Sequence, residues 1–196
     1  MSALTMRRAR ERRRLSRLRE AAARYVGNGW PIVPIRDVEP TEQTAWVGYG
    51  ALDEVRVPAI DTPTVAAWWS HVPYRVGLAT GCSVNVVSAP SALGAAAHRI
   101  LEMSTATAIT PADRWLFIVT PYVQLPHRLF AAGVRQHSSG EWVAMPPSPS
   151  PKGSTYWLVD PRVVRWQPMR AEVVHAVLLN ALLVSSTRGV RAAAWL

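Results

Sequence analysis

Residues Val76 to Gly94, VGLATGCSVNVVSAPSALG, constrain the fold more than any other stretch of the chain. Gly81 and Ser83 are turn residues, Val84, Val86 and Val87 form a short β-branched run, and Pro90 closes it before the alanine-rich segment Leu93 to Met103. A β-rich run bounded by turn residues predicts a strand, and the segment after the proline predicts a helix. The stretch is also empty of acid, since no aspartate or glutamate lies between Asp61 and Glu102. A strand end that holds a hard divalent cation needs carboxylate oxygens at fixed spacing. At the end of this strand stand Ser88 and Pro90.

Four segments in order carry a resemblance: AAARYVGNGWPIVPI (Ala21 to Ile35), PTVAAWWSHVP (Pro63 to Pro73), VGLATG (Val76 to Gly81) and SGEWVAMPPS (Ser139 to Ser148). Together they resemble the N-terminal Prim-Pol domain of bifunctional DNA primase/polymerases, in the archaeo-eukaryotic primase superfamily. The resemblance spans roughly residues 21 to 158. It implies an α+β fold, a single domain with a mixed β-sheet and flanking helices. In active members the strand after GLATG ends in an acidic pair, a histidine follows a TP turn on a later strand, and a third acid precedes the PPS segment. Here the pair is replaced by Ser88 and Pro90, and Arg114 or Trp115 stands near the expected histidine. Arg135 stands near the third acid, with His137 close by. The resemblance therefore implies a degenerate member without catalytic residues, metal or cofactor.

Composition bounds the alternatives. A chain of 196 residues, 49% hydrophobic, suits one compact domain, expected as a basic N-terminal helix over 1–26, an α/β core over 27–168, and an apolar C-terminal helix and tail over 169–196. Cys82 is the sole cysteine, so no intramolecular disulfide forms, and no Cys/His spacing suggests zinc. The histidines at 71, 98, 127, 137 and 175 are scattered without ligand spacing. No apolar h-region or membrane-length run is present, and the expectation is a cytoplasmic protein without a membrane partner.

Charge is concentrated at one end. Of the net charge of +9, residues 1 to 24 hold nine arginines against Glu11 and Glu20, leaving +2 for the remainder. Arg7, Arg8, Arg10, Arg12, Arg13, Arg14, Arg17 and Arg19 lie in a segment free of Gly and Pro. Leu15, Leu18, Ala22 and Tyr25 or Val26 make one apolar stripe, which predicts a helix to about Val26, stopped by Gly27 and Gly29. The functional reading is an arm that neutralises phosphates; the bland one is a solvated face on a core helix. Lysine occurs once, at Lys152, so coding bias is as good a reading of the arginine excess as selection for guanidinium chemistry, and the excess is no proof of nucleic-acid binding.

Thr62 and Pro63 are expected to start a short helix, the hydroxyl as cap, with at least one of Trp68 and Trp69 facing the core. Trp115, Trp142 and Trp157 sit in strand-like runs, and Trp142 has the best reason to be exposed. Pro146 to Gly153 reads as a proline-rich loop before a strand over Thr155 to Val159; in the relatives this segment borders the active cleft, so the resemblance makes Lys152 and Arg135 candidates for meeting a phosphate there, against the plain reading of a surface loop. Ala171 to Val184 is a helix apolar almost all round, either buried or offered to a partner, and Trp195 near the terminus is free to tuck back.

The scaffold that the resemblance implies, together with the arginine arm, predicts a catalytically degenerate protein that binds nucleic acid in an accessory or regulatory role, with DNA rather than RNA as the expected partner. Its binding residues are the arginines at 7, 8, 10, 12, 13, 14 and 17 with Arg135, His137 and Lys152. One alternative is a protein–protein interaction module or self-associating scaffold working through the C-terminal helix. Another is an active primase/polymerase with a shifted metal site, for which Asp113 and Glu141 are the unassigned acids.

Overall fold

The computed structural model describes residues 3–36, 58–121 and 123–193; Trp195 lies outside them. The elements run α1 (Ala3–Gly27), β1 (Ile32–Ile35), α2 (Thr62–Trp68), β2 (Arg75–Ala79), β3 (Asn85–Pro90), α3 (Ser91–Leu101), β4 (Thr107–Ile109) and β5 (Arg114–Val119). There follow α4 (His127–Ala131), β6 (Arg135–His137), β7 (Trp142–Ala144), β8 (Pro149–Ser150), β9 (Gly153–Ser154), β10 (Tyr156–Val159) and α5 (Ala171–Ala193). The class is α+β, as expected, with the strands shared among three sheets. The chain forms two compact units, Met1–Ser83 with Ser139–Tyr156 and Val84–Ser138 with Trp157–Leu196.

The first unit is built on the antiparallel sheet β1-β2-β7. Leu18, Ala22, Tyr25 and Val26 bury the last turns of α1, as the apolar stripe predicts, and Leu15 is half-buried. Two of the recognised segments meet here. The Ser148 hydroxyl accepts from Val76 N at 2.8 Å and bonds Val76 O at 3.1 Å, so the PPS serine completes the backbone pairing of the GLATG strand. Tyr25 donates its hydroxyl to Pro146 O at 2.6 Å. Gly81 has φ +105, and a Cβ there would lie 2.3 Å from Ser139 Cα, so the last glycine of GLATG is demanded by both conformation and space.

Two expectations in this unit are corrected. The cap of α2 is Asp61, whose Oδ1 accepts from Thr64 N at 2.7 Å, and not the Thr62 hydroxyl. The helix starts at Thr62 itself, and the acceptor of a capping bond sits one residue before it. Trp69 is fully buried and donates Nε1–H to Tyr74 O at 2.8 Å, while Trp68 is half-buried. Trp142, expected to be exposed, is half-buried on β7. The proline-rich loop carries a small hairpin of its own, β8 with β9.

The second unit is a five-stranded sheet in the order β10-β4-β5-β3-β6, with β3 paired antiparallel to β5 on one side and β6 on the other. Successive residues of a strand point to opposite faces. On one face Val87, Ala89, Phe117 and Val119 join Leu93, Ala97 and Leu101 of α3 and Ala171, Val174, Leu178 and Ala181 of α5 in a single core. Helical spacings of three and four put each of those sets on one side of its helix. Gly94 lets α3 approach β5, since a Cβ there would lie 2.4 Å from the Trp115 side chain. The apolar C-terminal helix thus spends one stripe on the core and leaves Val173, Leu183 and Val184 exposed. Among the described residues no helix is long and apolar enough to cross a membrane.

α5 also buries His175, whose Nε2 meets no hydrogen-bonding partner among the described residues. Burial holds this imidazole below its usual 6.5, against a smaller opposing pull from Glu172. The unfolded chain therefore binds the proton more readily, and the stability associated with neutral His175 is whole above 6.5 and lost as pH falls from there through the folded value. We expect the denaturation midpoint of the protein to fall as pH drops below 6.5, and His175→Leu to flatten that dependence; urea titrations at stepped pH measure both.

Candidate functional site

The alternation that sends the odd residues of β3 into the helix-covered core sends Val86, Ser88 and Pro90 to the other face. The register then fixes their neighbours: Ser88 is opposite Leu116 and Arg135, Val86 opposite Ile118 and His137, and Pro90 opposite Arg114. Arg114, Arg135 and His137 therefore share one sheet face with Ser88. Trp115 is opposite Ala89 and packs its ring near His98 of α3, on the helix side. Of the two residues near the expected histidine, Arg114 is the one that reaches the Ser88 face.

Arg114 is the centre of this group. Its side chain crosses the sheet to β3, and Nη2 donates to Ser88 O at 2.9 Å, Ser88 Oγ at 3.1 Å and Gly133 O at 2.9 Å. Nη2 has two N–H bonds for three acceptors, so one is shared. Ser88 Oγ lies 3.1 Å from His137 Nε2, close enough for a hydrogen bond whose direction the imidazole tautomer sets. Arg114, Ser88 and His137 are all buried. A serine at this distance from a histidine has the spacing of a nucleophile and its base. At 1% exposure, with Oγ already accepting from Arg114, Ser88 is a packed hydroxyl.

Arg135 sits at the rim. It donates through Nη1 to Phe130 O at 3.0 Å and Val134 O at 2.9 Å, and its guanidinium carbon stands 4.2 Å from the centre of the Phe130 ring, a cation–π contact. Burial, and then the positive charge of Arg135, push the Arg114 guanidinium below its ordinary pKa. The face is thus positively charged, with Arg114 Nη2 and Arg135 Nη1 held on carbonyls.

A divalent cation does not fit these residues. Hard cations take oxygen ligands, mainly carboxylates, whereas this face presents Ser88, Pro90, Arg114, Arg135 and His137, and a guanidinium lies on the Ser88 oxygens. Asp113 is exposed in the turn between β4 and β5, at φ +55, and Glu141 is an exposed residue of the other unit. Among the described residues no three His, Cys, Asp or Glu side chains come together as a metal site.

The remaining candidates belong to the first unit. Lys152 is exposed on the β8–β9 turn of the first unit, and Arg7, Arg8, Arg10, Arg12, Arg13, Arg14 and Arg17 are exposed on α1. One participant was not singled out from sequence: the Gly133 carbonyl, which is invisible there because backbone acceptors have no sequence signature.

The family model described as Bifunctional DNA primase/polymerase, N-terminal (Prim-Pol), matches residues 22–171, a span that includes β1 to β10. A search of curated proteins finds no match.

Removing the Arg114 guanidinium while keeping the bulk takes the side-chain donor from the buried Ser88 carbonyl and the half-buried Gly133 carbonyl, and leaves the Ser88 hydroxyl with His137 alone. An unsatisfied buried acceptor costs about 1–3 kcal/mol, so Arg114→Met is expected to destabilise the protein by on the order of 3 kcal/mol. Arg114→Lys keeps the charge without the fork and should fall between the two. Chemical denaturation of the three proteins measures the order.

Proposed function

This chain belongs to the Prim-Pol family of bifunctional DNA primase/polymerase N-terminal domains, and from that premise we propose that it is a catalytically degenerate member that binds nucleic acid in an accessory or regulatory role. One observation carries the loss of chemistry, the Arg114 guanidinium held on Ser88 where the relatives' acidic pair begins. Nucleotidyl transfer by two metal ions needs carboxylates to place them beside the attacking and leaving oxygens. A fixed monovalent cation bonded to carbonyls has no open coordination position for a triphosphate to share. The binding half of the reading is supported by the exposed arginines of α1, since arginine pairs with phosphate through a planar fork of donors.

A second reading, a module that docks on protein or on its own copy, is supported by Val173, Leu183 and Val184, the exposed apolar side chains of α5. The solution mass across a dilution series separates the two: a dimer that dissociates on dilution favours it, and a monomer throughout removes self-association.

The primary test is primer extension with labelled deoxynucleotides and ribonucleotides in Mg²⁺ and in Mn²⁺. No extension above the protein-free reaction is expected. Extension that disappears in Asp113→Asn or Glu141→Gln would overturn the degenerate reading.

A further inference from the structure

Among the described residues, the first half of α1 takes no part in the core. Residues 5 to 14 are exposed apart from half-buried Ala9, while burial is complete only from Leu18 onward. The anchoring stripe does not continue upstream, where Met6 and Ala9 are the only apolar residues between 5 and 14. The family match begins at residue 22. The exposed half is therefore an addition to the part of the chain that the family accounts for.

Its arginines do not form a face. At about 100° of rotation per residue, Arg8, Arg12 and Arg19 line one side of the helix. Arg10, Arg13 and Arg17, spaced by three and four, line the nearly opposite side, and Arg7 and Arg14, about two turns apart, fall between them. All eight are exposed, and only Glu11 and Glu20 oppose them on the helix. Like charges this close repel and disfavour the helix unless anions surround it. A helix lying on a membrane keeps a broad apolar side to sink into lipid, and this one has none over its exposed turns. Charge on opposite sides matches a partner whose phosphates stand on both sides of the helix at once.

Duplex DNA offers that arrangement. Its major groove, about 12 Å wide, admits an α-helix between two phosphate backbones, whereas the major groove of A-form RNA is too deep and narrow to enter. From Thr5 to Arg19 the helix is about 22 Å long at 1.5 Å per residue, enough to cross the groove and meet both walls.

We infer that residues 5–19 of α1 lie in the major groove of duplex DNA, with Arg8, Arg12 and Arg19 against one phosphate backbone and Arg10, Arg13 and Arg17 against the other. The inference rests on the nucleic-acid reading above and gives it a partner and an element. Because the contacts are to phosphates, affinity depends on salt more than on sequence.

The test is fluorescence anisotropy with a fluorescein-labelled DNA duplex, its single strand and an RNA duplex of the same sequence, over a salt series, using the intact chain. Two triple variants are compared with it, Arg8→Gln with Arg12→Gln and Arg19→Gln, and Arg10→Gln with Arg13→Gln and Arg17→Gln. Glutamine is close to arginine in helix propensity, and circular dichroism checks that the helix is kept. The DNA duplex should bind tightest, and each triple variant should flatten the log–log salt slope by about two to three, at roughly 0.9 per phosphate. An effect from one set alone, or tighter binding to the single strand or the RNA duplex, would overturn the two-walled groove. Duplex binding with an unchanged slope in both variants would overturn the inference and leave the nucleic-acid reading on another surface. Absence of binding to all three probes at low salt would overturn both.

Discussion

A single strand, β3, decides both what holds the second unit together and what chemistry its open face can offer. It is paired on both edges, to β5 and to β6, so its backbone is committed and its side chains alternate strictly between the two faces. Val87 and Ala89 go to the helix-covered core. Val86, Ser88 and Pro90 have no choice but the other face. A one-residue slip would exchange the two sets and place serine in the hydrophobic core, which is why the register is firmly specified. Whatever stands at 88 and 90 therefore meets whatever β5 and β6 present opposite, and here that is Arg114, Arg135 and His137.

The recognised segments turn out to be largely about backbone. Ser148 pairs with both polar groups of the Val76 backbone, Tyr25 ties α1 to Pro146, and Gly81 occupies a conformation and a space that a side chain would deny it. None of these contacts depends on the chemistry of the strand face in the second unit. A chain can keep the scaffold that makes the family recognisable while the polar residues of β3, β5 and β6 change, because the two sets of constraints act on different residues. The buried charge on that face is stabilised by carbonyl dipoles and a hydroxyl, a setting to which a planar guanidinium with several donors is better suited than an ammonium.

Much of this was legible in the sequence. Turn residues, a valine run and Pro90 located β3 and α3, and the stripe from Leu18 to Val26 located the buried end of α1, because periodicity reports directly on which side is covered. The choice between Arg114 and Trp115 was not legible, since it needs the pairing register between strands distant in sequence. Nor was the carbonyl of Gly133, which any residue could supply. Asp61 displaced Thr62 as the cap because both can accept the same bond and only the backbone conformation decides between them. The helical character of residues 5–14 was legible, but their exposure was not, because a charged segment reads alike whether it flanks a core helix or continues beyond it.

Positive charge has two separate settings in this protein, one buried and bonded to the chain's own carbonyls, the other exposed along α1. The central claim concerns the buried one, that a guanidinium stands where a divalent cation would need carboxylates. Titrating Mn²⁺ into the intact protein, with free Mn²⁺ followed by electron paramagnetic resonance at physiological ionic strength, tests it most directly. The account predicts a free-ion signal that rises as it does in buffer alone. A deficit that saturates at a fixed ratio of ions to chains, and is lost in Asp113→Asn or Glu141→Gln, would contradict it.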